Sequence, residues 1–125
     1  MKKVLIVEDN ELNLKLFRDL LLIKNYNIAI SRNGLDIINV VLQEEPNLII
    51  MDIYLNEILG TDLIRELKAN QNTKNIPIIA ITACALSKDK SEILESGCDM
   101  YMSKPVSIDN FFKAVDKFIN NVNNI

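Results

Sequence analysis

The stretch Leu48-Ile49-Ile50-Met51-Asp52 is an uninterrupted apolar run that ends on a carboxylate. Two similar runs, Val4-Leu5-Ile6-Val7 and Ile78-Ile79-Ala80-Ile81, lie before and after it in the chain. None of the three alternates polar with apolar residues, as a strand with one exposed face would. Continuous aliphatic runs of this length are typical of strands buried on both faces, which indicates a parallel sheet. The weaker runs 28–30 and 100–102 complete a predicted set of five strands.

Between these strands, apolar residues recur at intervals of three or four, which is the spacing of amphipathic helices. In chain order the predicted stripes are Leu12, Leu16, Leu20 and Ile23; Leu35, Ile38, Val41 and Leu42; Leu63, Ile64 and Leu67; Ile93 and Leu94; and Phe111, Phe112, Val115, Phe118 and Ile119. Strand and helix therefore alternate five times. This pattern predicts an α/β domain with the doubly wound (βα)5 fold around a five-stranded parallel sheet.

The helix boundaries are predicted from residues that favour helix ends. Pro46 is expected to end the second helix two residues before the third strand. Ser87 and Ser107 are expected to cap the fourth and fifth helices, and Gly97 to end the fourth in the left-handed conformation. The polar residues 120–125 are expected to fray.

The composition excludes several classes of function. The chain has 125 residues, 49% hydrophobic and 25% charged, as expected for one folded domain that needs no disulfide or structural metal. Its net charge of −3 argues against broad nucleic-acid binding. The absence of histidine excludes Ser-His-Asp and Cys-His catalysis, imidazole metal sites and a phosphohistidine-donor role.

The redox state and location are predicted from the same sequence. Cys84 and Cys98 form no C-x-x-C pair, and we expect reduced, partly buried thiols. Glu8-Asp9 cuts the first apolar run, which makes it too short for a signal peptide. No segment approaches the ~18 apolar residues of a membrane span. We therefore expect a cytoplasmic protein with no membrane partner.

Polar residues stand at the carboxyl ends of four predicted strands. Glu8-Asp9 follows the first, Asp52 ends the third, Thr82 follows the fourth and Lys104-Pro105 follows the fifth. Ligands of open α/β sheets bind beyond these ends, at the point where the strand order reverses. If the four strands are neighbours, one rim of the sheet carries three carboxylates, a hydroxyl and an ammonium group.

Three carboxylates at one rim need a compensating charge. At a separation of ~4 Å and an effective dielectric of ~20, each ionised pair costs about 4 kcal/mol. Such a cluster takes up protons or holds a cation. Oxygen ligands favour a hard ion, and few carboxylates with room for water and a phosphoryl group favour Mg²⁺ over Ca²⁺. Lys104 and Thr82 add the point charge and the hydrogen-bond donor of a phosphoryl site.

Each of these residues alone also has an ordinary structural interpretation. The pair Glu8-Asp9 fits the capped and charged start of a helix, and Asp52 fits a turn. Thr82 fits a strand end, Lys104 a solvated surface, and Tyr101 simple packing. Their joint occurrence at the ends of predicted strands favours the functional interpretation.

The chain closely resembles a response-regulator receiver domain, the phosphoacceptor module of two-component signalling, over essentially its whole length. The matching residues are Val4-Leu5-Ile6-Val7-Glu8-Asp9-Asn10, Met51-Asp52-Ile53, Ile81-Thr82-Ala83 and Ser103-Lys104-Pro105. Residues 8–13 and 97–99 are most similar to DivK-type single-domain receivers of bacterial cell-division control. The resemblance implies the flavodoxin-like strand order 2-1-3-4-5.

The resemblance implies a magnesium-dependent phosphoacceptor. Asp52 would take a phosphoryl group from the phosphohistidine of a sensor histidine kinase or histidine phosphotransferase. Asp9, Asp52 and the backbone carbonyl of Tyr54 would ligate Mg²⁺, with Glu8 contributing directly or through water. The chain would then be a signalling protein that assists only its own phosphorylation and dephosphorylation, and not an enzyme acting on a separate substrate.

The phosphoryl-binding and switching residues follow from the same resemblance. Lys104, the Thr82 hydroxyl and the Ala83 amide would bind the phosphoryl oxygens. Phosphorylation would draw in the Thr82 hydroxyl, and Tyr101 would turn inward to fill the vacated space. That change would reshape the surface of the fourth helix, fifth strand and fifth helix, where downstream proteins bind. The Lys104-Pro105 peptide is expected to be cis, as in the family.

One residue departs from the family pattern. Asn56 stands where many receivers have proline, and asparagine does not fix φ. We therefore expect a looser loop after Asp52, with a changed phosphoryl lifetime.

The predicted organisation is a receiver over residues 1–120, a polar tail over 121–125 and no output domain. Output would run through protein contacts, from a monomer or a weak homodimer. A pseudo-receiver that binds partners without phosphorylation is an alternative. A flavodoxin-like redox carrier is a second alternative, but it would need a Ser-, Thr- or Gly-rich loop after strand one to bind the flavin phosphate, and the sequence has Glu8-Asp9 there. An aspartate-nucleophile phosphatase is a third, but it would need an acidic residue two positions after the nucleophile, where the sequence has Tyr54.

Overall fold

The computed structural model describes residues 2–83 and 87–120, with the backbone alone for 87–89. Five strands alternate with five helices, as the apolar runs predict. The strands are β1 (Lys3–Val7), β2 (Asn27–Ser31), β3 (Leu48–Asp52), β4 (Ile78–Thr82) and β5 (Met100–Ser103). The helices are α1 (Glu11–Ile23), α2 (Ile37–Glu44), α3 (Gly60–Ala69), α4 (Ser87–Glu95) and α5 (Ile108–Ile119).

The strands form a single parallel sheet in the order β2-β1-β3-β4-β5. This confirms the (βα)5 fold and the strand order. The chain order reverses between β1 and β3, where Val7 pairs with Met51. The next residue after each member of this pair, Glu8 after Val7 and Asp52 after Met51, therefore lies beside the other at the carboxyl edge of the sheet.

Helices cover both faces of the sheet. On one face, α2, α3 and α4 pack over a cluster that includes Leu5, Ile49 and Ala80. On the other, α1 and α5 pack over Ile6, Ile50 and their neighbours. Every residue of β3 and β4 is buried, as the prediction of strands covered on both faces requires.

The predicted stripe of α1 is wrong in three of its four members. Leu12, Leu16 and Ile23 are 77%, 40% and 69% exposed. The buried residues are Leu14, Phe17, Leu20 and Leu21, and the Phe17 ring stacks on Phe111 of α5 at 5.3 Å. The helix carries apolar residues on both faces at helical spacing, so periodicity alone fits either one. The face with the phenylalanine packs on the sheet because it buries more apolar area.

The stripe of α2 is also partly wrong. The helix begins at Ile37, so Leu35 precedes it and is exposed, as is Leu42. Ile37 and Val41 are the buried residues of this helix. The predicted core residues of α3, namely Leu63, Ile64 and Leu67, are buried, which confirms that stripe.

Most of the predicted helix ends are confirmed. The second helix ends at Glu44, two residues before Pro46. Ser107 caps α5 by accepting the Asn110 N–H at 3.3 Å. Gly97 has φ +101°, just beyond the end of α4.

Other sequence predictions have mixed outcomes. The Lys104–Pro105 peptide is cis, as expected. Cys98 is a free, half-buried thiol, and burial raises its pKa. Cys84, the side chain of Ser87 and the tail 121–125 lie outside the described residues. Within the described parts of the chain, every helix is too short or too polar to cross a membrane.

Candidate functional site

Three carboxylates converge at the carboxyl edge of the sheet. Glu8 and Asp9 follow β1, and Asp52 is the last residue of β3. One oxygen from each of the three lies within 4.8 Å of the others. The sequence prediction that these residues meet at one rim is confirmed.

The site lies partly below the protein surface. Glu8 is 1% and Asp52 4% exposed, and Asp9 is half-buried. Within residues 2–83 and 87–120, each carboxylate accepts a backbone N–H: Glu8 from Asn10 at 3.2 Å, Asp52 from Tyr54 at 3.2 Å, and Asp9 from Asn56 at 2.8 Å. Hydrogen bonds to the ionised form favour it and partly offset the mutual repulsion of the carboxylates.

Lys104 brings a positive charge to the cluster. Its Nζ lies 3.4 Å from Glu8 Oε1 and 3.5 Å from Asp52 Oδ1. The backbone of Lys104 is held against β4 by its N–H, which donates to the Thr82 carbonyl at 2.7 Å. The Lys104 side chain is only 21% exposed and its Nζ faces two carboxylates, so it belongs to the site and not to the solvated surface.

Glu8 titrates far from its ordinary range. Burial raises its pKa most, and the neighbouring Asp52 carboxyl adds to the rise through a hydrogen bond and charge repulsion. The Asn10 amide and Lys104 act in the opposite direction. The net result is a Glu8 pKa of about 7. Glu8 therefore takes up a proton near neutral pH, and a bound cation would displace that proton.

Thr82 and Ala83 complete the rim on the β4 side. Thr82 ends β4, is 1% exposed and pairs with Ser103 of β5. Ala83 follows it and is exposed. The two residues lie at the same edge as the carboxylates because β4 is adjacent to β3.

Tyr101 does not lie at this edge. It is in the middle of β5, opposite Ala80, and packs partly buried against the cluster that contains Ile93. Tyr54 contacts the site through its N–H, and its side chain is 44% exposed. A ligand role for the Tyr54 carbonyl stays a prediction.

The acidic pair is not the cap of α1. Asn10 is the N-cap, and its side chain accepts the Asn13 N–H at 3.0 Å. Asparagine immediately before a helix is a favoured N-cap residue, so the sequence itself carries the signal for this cap. Since capping is already satisfied, Glu8 and Asp9 are left to the site.

The loop after Asp52 is held by main-chain contacts, and the expectation that asparagine at position 56 makes it looser than proline would stays a prediction. Tyr54 and Leu59 form an isolated bridge, and the Gly60 N–H donates to the Ile53 carbonyl at 2.7 Å. The Asn56 N–H reaches Asp9 across the site. The amino-acid sequence does not predict this contact, because its donor is a backbone N–H that almost any residue would supply.

The donor set fits a magnesium ion. All of its side-chain ligands are carboxylate oxygens, which suit a hard ion with retained waters. Among the described side chains, three carboxylates face the ammonium group of Lys104, so a divalent cation would balance their charge.

A doubly wound parallel sheet with an acidic, lysine-containing site at its switch point is the architecture of phosphoacceptor modules in bacterial signalling. The chain belongs to the response regulator receiver domain family, whose model matches residues 4–116. It is therefore a signalling protein of two-component systems and not a conventional enzyme. Receiver domains accept phosphoryl groups from histidine kinases or phosphotransferases and bind Mg²⁺ at an acidic pocket.

Within this family, the chain is similar to response regulators of a single name. The chain is 42% identical to the polar-differentiation response regulator DivK of Brucella anthropi, over 94% of this chain and 96% of that protein. It is 41% identical to the protein of the same name from Brucella ovis, with the same coverage. The similarity to DivK-type regulators inferred from residues 8–13 and 97–99 is thus confirmed.

Solved structures agree with the fold. The receiver domain of a signal transduction histidine kinase from Syntrophus aciditrophicus superposes with a TM-score of 0.91 at 27% identity, covering 100% of this chain and 95% of that one. The receiver domain of sensor histidine kinase PA1611 from Pseudomonas aeruginosa gives 0.87 at 28% identity, covering 95% and 98%. That structure has a magnesium ion coordinated in its active site cleft.

Proposed function

We propose that this protein is a response regulator that accepts a phosphoryl group on Asp52 in a Mg²⁺-dependent reaction. The observation that carries the proposal is the position of Lys104. Its ammonium group lies 3.5 Å from an oxygen of Asp52. Asp52 in turn lies beside the carboxylates of Glu8 and Asp9. Phosphoryl transfer depends on a positioned nucleophile and on positive charge that stabilises the transferred group. Asp52 can supply the nucleophile, Lys104 one positive charge, and Glu8 and Asp9 the ligands of a metal ion.

The transfer is a displacement at phosphorus. An oxygen of Asp52 attacks the phosphorus of a phosphohistidine, the P–N bond breaks, and the imidazole leaves with the bonding electron pair and takes a proton. Glu8, Asp9, Asp52 and the Tyr54 carbonyl would hold Mg²⁺, which supplies positive charge against the phosphoryl oxygens. Lys104, the Thr82 hydroxyl and the Ala83 amide would bind these oxygens from the β4–β5 side.

The donor is a sensor histidine kinase or a histidine phosphotransferase. Because Asp52 is only 4% exposed, a donor imidazole reaches it only if the donor covers the rim of the site. Exposed apolar side chains are available there: Leu12 in the first turn of α1 and Tyr54 in the loop after β3. We infer that the donor packs on this part of the surface.

The switch that we propose joins the site to β5. Phosphorylation draws the Thr82 hydroxyl toward the phosphoryl group, and Tyr101 rearranges in response. Thr82 pairs with Ser103, two residues beyond Tyr101 on the same strand, so the two residues are linked through the β4–β5 ladder. Output would use the α4–β5–α5 face, where a groove of about 510 Å³ runs between β5 and α5.

Several wider features belong to the same proposal. The receiver would signal through protein contacts, in the cytoplasm, as a monomer or weak homodimer. It would assist only its own phosphorylation and dephosphorylation. The name of these relatives supports a role in polar differentiation. The resemblance to DivK-type regulators extends the proposal to cell division.

The experiment is phosphorylation of the purified protein with acetyl phosphate and Mg²⁺, read by intact mass. Wild type should gain one phosphoryl group, and Asp52→Ala should gain none. Asp109→Ala, an exposed aspartate in the first turn of α5, is the matched control and should behave as wild type. If wild type gains nothing from acetyl phosphate or from a panel of phosphorylated kinases, the protein is a pseudo-receiver and the proposal is wrong.

A further inference from the structure

The backbone N–H of Asn56 contacts a residue of the acidic cluster. It donates to Asp9 Oδ2 at 2.8 Å, across 47 residues of chain. This is the shortest of the three amide contacts to the cluster, since those to Glu8 and Asp52 are 3.2 Å each. It joins residues 47 positions apart in the sequence, whereas each of the other two contacts joins residues two positions apart.

The loop that carries Asn56 is held independently of this contact. At its base the Gly60 N–H donates to Ile53, and Tyr54 bridges to Leu59. Near its tip, Leu55 is only 7% exposed and packs in the core under α2 and α3. The Asn56 contact is therefore not needed to close the loop, and its main effect falls on Asp9.

Asp9 gains orientation from this hydrogen bond. The carboxylate is half-buried and follows the last residue of β1 by only two positions, and within the described part of the chain the Asn56 N–H is a hydrogen-bond donor that reaches it. Fixing Oδ2 on an amide restricts rotation of the carboxylate and leaves its second oxygen for another partner. Hydrogen bonds of this kind, made to residues that hold a metal, typically change metal affinity ten- to a hundred-fold.

We propose that the Asn56 backbone amide is a positioning group for Asp9, which it orients to bind the divalent cation. This inference rests on the proposed function, because it takes Asp9 as a cation ligand. The main chain is the active part: the Asn56 side chain is exposed, and any residue with an N–H at position 56 would serve. Proline would not, since it has no N–H.

The coupling works in both directions. If the Asn56 contact strengthens cation binding through Asp9, then a bound cation strengthens the Asn56 contact by the same factor. The Asn56 amide is thus held more firmly on Asp9 when the site is loaded. Asn56, Glu57 and Ile58 also line a cleft of about 320 Å³ with Asp9 and Arg32, so the effect extends to a surface beside the site.

The test compares Asn56→Pro with Asn56→Ala in the full chain, by calorimetric titration with Mg²⁺ or Mn²⁺. Asn56→Pro should weaken binding about ten-fold, as expected for loss of an orienting hydrogen bond. Asn56→Ala keeps the amide and should bind as wild type does. Equal affinity for wild type and Asn56→Pro, or equal weakening in both variants, would overturn the inference. Absence of any cation binding to wild type would overturn the metal site of the proposed function as well.

Two further measurements separate orientation from folding. Replacing the amide at position 56 by an ester removes the donor without fixing φ, and should weaken cation binding as proline does. In the cation-free protein, hydrogen exchange of the Asn56 amide should be slow and should accelerate in Asp9→Ala. An Asn56 amide that exchanges at the same rate in both proteins would show that the contact does not form in solution, and the inference would fail.

Discussion

Gly60 lies directly against the backbone of Asp52. A Cβ on Gly60 would be 2.3 Å from the Asp52 carbonyl oxygen and 2.7 Å from the Cα of Ile53. The obstructing atoms are main chain, so they cannot move aside as a flexible side chain would. The first residue of α3 thus leaves room for the residue that we propose as phosphoacceptor.

Gly60→Ala should therefore destabilise the fold and displace Asp52. Overpacking of this kind typically costs about 1–3 kcal/mol. The free energy of unfolding in urea should fall by that amount, and cation affinity should fall with it. Glu66→Ala, on the exposed face of the same helix, should leave both unchanged. An unaltered urea midpoint in Gly60→Ala would contradict the close approach.

The raised pKa of Glu8 makes the stability of the metal-free protein depend on pH. Its pKa is about 7 in the folded protein, against 4.5 for an unperturbed glutamate. The folded state binds this proton more tightly, so the stabilisation is complete below about pH 4.5 and is lost as the pH rises through about 7. The loss is on the order of 3 kcal/mol at most.

Urea unfolding at a series of pH values measures this loss. Glu8→Gln should remove most of the slope across that window, because glutamine does not titrate. Saturating Mg²⁺ should also reduce the slope in wild type, since a cation favours the ionised carboxylate. A wild-type slope that persists in Glu8→Gln would assign the titration to another group.

Lys104→Met separates phosphoryl transfer from cation binding. The variant lacks the charge that faces the phosphoryl oxygens, and removal of one such group commonly slows transfer about a hundred-fold or more. Cation affinity should rise, because the ammonium group no longer offsets Glu8 and Asp52. Lys15→Met, an exposed lysine on α1, is the control. A parallel fall in rate and affinity would mean that Lys104 only supports the fold.

The exposed side of α1 is predicted to be dispensable for folding. Leu12→Gln and Ile23→Gln should change stability by less than about 0.5 kcal/mol, as exposed substitutions usually do. Leu14→Ala, in the buried stripe, should cost about 2–5 kcal/mol. Urea midpoints give both values.

The same variants test where the donor binds. Leu12→Gln should slow transfer from a phosphorylated kinase while leaving phosphorylation by acetyl phosphate unchanged, because a small donor needs no docking surface. Ile23→Gln, at the far end of α1, is the matched variant and should transfer at a rate closer to that of wild type. An unchanged rate in Leu12→Gln would place the donor elsewhere on the rim.

Tyr101 is predicted to act after phosphorylation. Tyr101→Ala should be phosphorylated at the wild-type rate, since the side chain packs against the apolar cluster that contains Ile93. Hydrogen exchange in β5 and α5 should change on phosphorylation of wild type and change less in the variant. If the variant shows the full change, or keeps phosphorylation-dependent partner binding, the aromatic part of the switch is wrong.

Much of the fold follows from the sequence. The runs ending near Glu8, Asp52 and Thr82 are apolar on both faces, and such a pattern is compatible with few structures other than buried parallel strands. The side of α1 that faces the sheet was not predictable, because Leu12 and Leu14 each begin a stripe of correct spacing. That choice depends on which face fits the sheet, which is tertiary information.

The site, too, has features that the sequence predicts and features that depend on tertiary structure. Carboxylates and a lysine at strand ends were predictable because parallel strands bring their carboxyl ends to one edge. The order of the strands came from family resemblance. The Asn56 contact was not predictable, since backbone amides carry no sequence signal and their aim depends on the path of the loop. The raised pKa of Glu8 likewise arises from burial and from Asp52, which the structure alone places beside it.

Chemical location of the phosphoryl group tests the central claim most directly. The protein is treated with acetyl phosphate and Mg²⁺ and then reduced with borohydride, which converts an aspartyl phosphate to homoserine. Peptide mapping by mass spectrometry then finds the modified position. The account predicts homoserine at position 52 alone, and only when Mg²⁺ is present during phosphorylation. A reduced residue at position 8 or 9, or homoserine at 52 without any divalent cation, would contradict it.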